Sequence, residues 1–132
     1  MPAITAFYAG LIGVLLFIAA LRVSQLRLRL KVGLGDGGDR VLARAIRVHA
    51  NLVEWGVPAA VLLLLAELNR APTVLLHACG IALIVGRLMH AFALSRSGGS
   101  SAGRTLGSAL SWTALFVLAV WDIWAFVRLA LV

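Results

Sequence analysis

Four long apolar segments, separated by short polar breaks, constrain this chain more than any other feature. They run roughly Ala3–Leu26, Val41–Leu68, Thr73–Leu94 and Thr105–Leu131. Each is long enough to cross the roughly 30 Å hydrocarbon layer of a bilayer as an α-helix. Inside that layer no water serves the backbone N–H and C=O groups, so a spanning segment must satisfy them within itself. Helix is therefore the predicted state of all four. Composition agrees, since 62% of the 132 residues are hydrophobic, more than a soluble domain of this size needs. The predicted fold class is all-α, an integral membrane four-helix bundle, with residues 1–132 forming one domain. The apolar run Ile4–Leu21 has no basic start and is long enough to span, so it reads as a retained helix rather than a cleaved signal peptide.

The breaks carry the charge. The first, Arg27 to Arg40, contains Arg29, Lys31 and a Gly-Asp-Gly-Gly stretch; the second is the short Glu67–Pro72; the third is the Ser/Gly-rich Ser95–Arg104. Pro72 suits the first turn of a helix. Arg27, Arg29, Lys31, Arg40, Arg44, Arg47, Arg96 and Arg104 gather on one side of the membrane, against Arg70 and Arg128 on the other. Basic residues accumulate in cytoplasmic loops, so loops one and three are expected in the cytoplasm and both termini outside it. The formal charge of +7 is accounted for by this membrane-surface clustering, and no nucleic-acid partner is expected.

Polar residues also lie inside the spans. At about 100° per residue, Arg44, Arg47, Asn51, Glu54 and Pro58 fall within an arc of roughly 80° on the second helix. A charge at bilayer depth is costly unless it is paired or faces a protein-lined cavity. Arg87 and His90 share a face of the third helix, and Arg104 heads the fourth, followed on nearly the same face by Ser108, Ser111 and Asp122. Arg22, Arg29, Arg96 and Arg128 read as side chains snorkelling to headgroups. That account fails for Asn51 and Glu54, which lie turns inside their helix; helix–helix glue is the competing account for them. The seam predicts a Glu54 that is buried and paired with arginine. Asp122 calls for a donor; His77 is the nearest polar candidate by depth, with water or backbone as the other.

No nucleophile–His–acid triad and no phosphate loop is visible. His49, His77 and His90 lack zinc-ligand spacing, and the single cysteine, Cys79, has no partner for a disulfide. No metal is expected. Arginines beside one carboxylate and one carboxamide suit a small zwitterionic ligand: guanidinium groups take its carboxylates in two-pronged fashion, and Glu54 takes its ammonium.

The pattern Arg44-x-x-Arg47-x-His49-x-Asn51-x-x-Glu54-x-x-x-Pro58 closely resembles the second-helix signature of the MAPEG family, the membrane-associated proteins of eicosanoid and glutathione metabolism. Gly86-Arg87-Leu88-Met89-His90 resembles that family's third-helix motif. The resemblance extends over nearly the whole chain. It implies a homotrimer, with glutathione as co-substrate bound between neighbouring subunits near the cytoplasmic face. Carried over by position, Arg44, Arg47, His49, Asn51 and Glu54 would hold glutathione. Arg87 and His90 would line the site from the third helix, and Arg27 stands at a first-helix arginine. Arg104 is the candidate catalytic residue, stabilising the glutathione thiolate. A free thiol has a pKa of about 8.5, and the thiolate is the nucleophile, so a guanidinium beside the sulfur would favour attack on lipophilic electrophiles arriving from the bilayer.

Two departures bear on activity. Leu94 stands where the better-known eicosanoid enzymes have a second tyrosine, and the loop between Arg96 and Arg104 is longer than theirs. Leukotriene synthesis is therefore not implied. The expected function is a bacterial inner-membrane glutathione transferase or peroxidase. The alternatives are a non-catalytic member of the family and a small multidrug-type transporter, the last disfavoured because an arginine-rich edge repels cationic cargo.

Overall fold

A computed structural model describes residues 1–99 and 101–130. It contains four helices, each long and apolar enough to cross a membrane: α1 Ala3–Leu30, α2 Arg40–Leu68, α3 Thr73–Arg96 and α4 Ala102–Ala130. Helix count and order are those expected from the sequence. The ends differ. α1 and α3 run past the expected Leu26 and Leu94, and α4 starts before Thr105. Apolar runs mark the hydrocarbon layer, but Leu and Arg are both good helix formers and carry the helices on into the polar zone. The third loop shrinks accordingly; its Ser100, and the expected helix end at Leu131, lie outside the described residues.

Local chemistry accounts for the helix boundaries. Asp39 caps α2, its Oδ1 accepting from the backbone N–H groups of Val41 and Leu42, both at 2.8 Å. α1 ends with Lys31 in the left-handed region (φ 56°) and Val32 N–H donating back to the Arg27 carbonyl, a left-handed helix stop. The start of α1 has no cap of its own. Glu67, at the far end of α2, supplies one: its carboxylate accepts from the N–H groups of Ile4 at 3.0 Å and Thr5 at 2.6 Å. An anion at a helix N-terminus satisfies orphan donors and complements the helix dipole. Pro58 lies within α2 without ending it.

α1 packs on α2 and to a lesser extent on α3, whereas α4 packs on α3 and α2 and does not reach α1 among the described residues. One core cluster gathers Tyr8, Leu63, Ala66, Leu76, Cys79, Ala114 and Leu118, and a second gathers Ile12, Ala59 and Leu83. The outer surface stays apolar, with Phe7, Phe17, Phe92, Phe116 and Phe126 all well exposed, as a lipid-facing surface should be.

The closest helix pair is α3–α4, and small residues allow it. Gly103, Gly107, Ser111 and Ala114 form a stripe on α4, and Gly86 faces it from α3. A Cβ added at Gly107 would lie 2.6 Å from the Gly86 carbonyl oxygen and 2.8 Å from the His90 nitrogen. Small residues bring membrane helices near enough for backbone contact. Gly107→Ala should therefore force α3 and α4 apart and destabilise the protein by about 1–3 kcal/mol, read as a lower unfolding temperature in detergent. Gly10→Ala, where a Cβ meets nothing within 4 Å, should leave that temperature unchanged or raise it.

Candidate functional site

The polar residues of α2, α3 and α4 converge on Arg87. Its side chain is almost wholly buried and all three of its guanidinium nitrogens donate. Nε reaches Ser111 Oγ at 2.8 Å, Nη1 reaches Asn51 Oδ1 at 2.6 Å, and Nη2 reaches the Gly107 carbonyl at 3.3 Å. Ser111 in turn donates its hydroxyl to the Gly107 carbonyl at 3.0 Å, which leaves its lone pairs for Arg87. The acceptors are all neutral, so this buried cation is solvated by fixed dipoles rather than by a counter-ion.

The α2 seam is split by its own helical angle. In order around the roughly 80° arc stand Glu54, Arg47, Pro58, Asn51 and Arg44. The first three are exposed; Asn51 and Arg44 are half-buried. Asn51 therefore turns inward to Arg87. Arg47 and Glu54 turn outward and pair with each other through two contacts, Nη1–Oε1 at 3.1 Å and Nη2–Oε2 at 3.3 Å. The expected arginine partner of Glu54 is present, but the expected burial is not: in the single chain the Arg47 and Glu54 side chains are 59% and 46% exposed. Arg44 points its Nε into a buried position with no partner among the described residues.

His90, one turn beyond Arg87, is buried against Gly107. Arg104, in the first turn of α4, donates Nη1 to the carbonyls of Gly98 at 3.2 Å and Gly99 at 2.7 Å, closing the α3–α4 loop. Arg27 is turned onto its own loop, with Nη1 donating to the Gly33 carbonyl at 3.0 Å. His49 is half-buried, lies about 180° around α2 from the seam, and makes no side-chain hydrogen bond among the described residues. Thus the structure joins Asn51 to Arg87 and Arg47 to Glu54, buries His90 one turn along α3 from Arg87, turns Arg104 onto its own loop, and leaves Arg27 and His49 apart. Ser111 and Gly107 complete the Arg87 cradle. Their signal in the sequence is the small-residue spacing on α4.

At the opposite end, the Asp122–His77 bond, expected within or between subunits, does not form within the single chain. Depth is shared, but direction is not. His77 Nδ1 lies 2.9 Å from the Tyr8 hydroxyl of α1, whereas both Asp122 carboxylate oxygens are buried without a partner among the described residues. A cavity of about 760 Å³ also lies at this end, between the α2–α3 turn and the end of α4, away from the seam.

A model of the MAPEG family matches residues 5–124. The inner membrane protein YecN of Escherichia coli (strain K12) is 38% identical over 121 residues, covering 92% of this chain and 91% of the relative. The protein of the same name from Escherichia coli O6:H1 (strain CFT073) matches to the same extent.

An unpaired buried carboxylate is costly, and an amide of the same shape costs less. Asp122→Asn should therefore unfold in detergent at the same or a higher temperature than the wild type. A fall in unfolding temperature would show that Asp122 makes a charge-dependent contact in the assembled protein.

Proposed function

This chain belongs to the MAPEG family, and from that premise we propose that it is a glutathione-dependent transferase or peroxidase acting on lipophilic electrophiles at the inner membrane. The observation that carries the reading is the Arg47–Glu54 pair, held on the outer face of α2 and backed by the fixed Asn51–Arg87 bond. A charged pair at this depth is disfavoured against lipid. A second copy of the chain, as in a homotrimer, would cover it and turn it into the wall of a cleft. Glutathione has two carboxylates and one ammonium. Arg44 and Arg47 suit the carboxylates and Glu54 the ammonium, so the ligand replaces one ion pair with three. Both groups of the pair are already oriented for the exchange, and Asn51 is locked in place behind them.

In the transferase reaction the glutathione sulfur must be deprotonated. Arg104 would hold the thiolate by its charge; among the described residues only Nη1 is committed to loop carbonyls, leaving Nε and Nη2 as donors. The thiolate then attacks the electrophilic carbon, a C–S bond forms, and the leaving group departs with its electron pair. The exposed apolar flanks of the helices, among them Val53 and Val57 beside Glu54, offer the electrophile a route from the bilayer. Orientation with the α2 seam towards the cytoplasm, where glutathione is supplied, follows the basic-residue bias.

A non-catalytic member of the family is the second reading. It is favoured by Leu94, buried one turn beyond His90 where the better-known eicosanoid enzymes have a second tyrosine, and by the engagement of Arg104 with its own loop. The transporter reading stays disfavoured by the arginine-rich edge, which repels cationic cargo.

Glutathione titrated by calorimetry into the detergent-purified protein, followed by turnover of a chromogenic aryl halide, decides among these. Binding with turnover supports the transferase, binding alone the non-catalytic reading, and absence of binding overturns both. Arg104→Ala should lower kcat by about tenfold or more while leaving glutathione affinity within about twofold, with loss of the ultraviolet thiolate band. Glu54→Gln should weaken glutathione binding by about tenfold, since one charge of the exchanged pair is gone; an unchanged affinity removes Glu54 from the site.

A further inference from the structure

The end of the molecule away from the seam carries a groove that the glutathione chemistry does not use. Its polar mouth is formed by Asn69 and Arg70 of the α2–α3 turn and Arg128 near the end of α4, and its walls include Trp121 and Trp124. The same two tryptophans also line a second cavity of about 410 Å³, whose remaining walls are Leu75, Phe116, Val117 and Val120. The two cavities thus adjoin across the Trp121 and Trp124 wall: a cationic mouth of about 760 Å³ stands beside an apolar trough along α3 and α4.

Two details at the mouth reinforce this. Arg70 has a φ of 58°, a left-handed conformation that favours glycine. It occupies a paired helix stop in which Arg70 N–H donates to the Glu67 carbonyl and Ala71 N–H to the Ala66 carbonyl. A cation there answers the helix dipole, as Lys31 does at the end of α1, but Arg70 also lines a cavity. Arg128 is held over the Trp124 ring, its guanidinium carbon 5.5 Å from the ring centre, which fixes the second cation at the mouth.

We propose that this groove binds an anionic phospholipid of the adjacent leaflet, with its phosphate between Arg70 and Arg128 and one acyl chain along the trough past Leu75, Phe116 and Val120. The charge of the mouth calls for an anion, and the apolar extension calls for a chain on the same molecule. A lone snorkelling arginine requires neither the cavity nor the trough.

The test is native mass spectrometry of the full chain released from detergent micelles containing phosphatidylglycerol or phosphatidylcholine with the same acyl chains. Phosphatidylglycerol should be retained about tenfold or more over phosphatidylcholine, and Arg70→Gln/Arg128→Gln should abolish that preference. Arg22→Gln/Arg29→Gln, which alters two exposed arginines of α1, should preserve it. Arg128→Gln alone, near the end of α4, should give an intermediate loss and serves as the reading if the double variant loses its helical circular dichroism. Equal retention of the two lipids, an equal loss in the α1 variant, or no change in the groove variants would overturn the proposal. Complete displacement of the lipid by millimolar inorganic phosphate would also overturn it, because the trough would then contribute nothing.

Discussion

Everything at the seam end of this bundle hangs on one buried cation. Arg87 ties α2, α3 and α4 together through Asn51, Ser111 and Gly107. A guanidinium in a low-dielectric interior is tolerated only when its donors are met, and here they are met by neutral dipoles. That demand dictates the packing around it. The Gly107 carbonyl can serve as an acceptor only if α4 lies against α3, and only glycine at 86 and 107 permits that approach. The seam of α2 is then positioned by the Asn51 end of the same network. Packing and polar chemistry are one arrangement here, and neither would persist without the other.

The division of the seam follows from this. Residues on one edge of the α2 arc turn inward and become structure; residues on the other edge turn outward and stay available. Asn51 and Arg47 stand only four positions apart, yet one is fixed to Arg87 and the other to an exposed carboxylate. The fixed half gives the outward half a rigid backing, the pre-organisation that the proposed ligand site would need. The aromatic and cationic residues at the far end serve a different physics, that of the membrane interface, and do not communicate with Arg87 through any hydrogen bond among the described residues.

Helix number, order and the polar seam were legible from the sequence because length and 3.6-residue periodicity are local properties. What was not legible is azimuth, the direction each face takes relative to its neighbours. Periodicity placed Glu54 beside Asn51 on one stripe, but only the packing of α2 against α3 shows that the stripe straddles the edge of the bundle. Depth put Asp122 level with His77, yet His77 faces Tyr8 on α1 while α4 does not pack on α1 among the described residues. Arg104 was correctly placed at the head of α4, but its grip on the Gly98 and Gly99 carbonyls depends on the loop's path, which no periodicity encodes. Glu67 read as a loop residue, and its partners, the uncapped N–H groups of α1, became apparent only once both helix ends were seen at the same surface.

That contact between Glu67 and the first turn of α1 bears on the order in which the protein is made. The carboxylate that completes α1 lies 63 positions after Ile4 in the chain, so α1 emerges from synthesis with its leading donors bare. They are met only when α2 has crossed and carried Glu67 to the same face. α1 is not finished alone, and the α1–α2 hairpin is the smallest segment in which its leading donors are met. Completion of the first span is thereby tied to the arrival of the second.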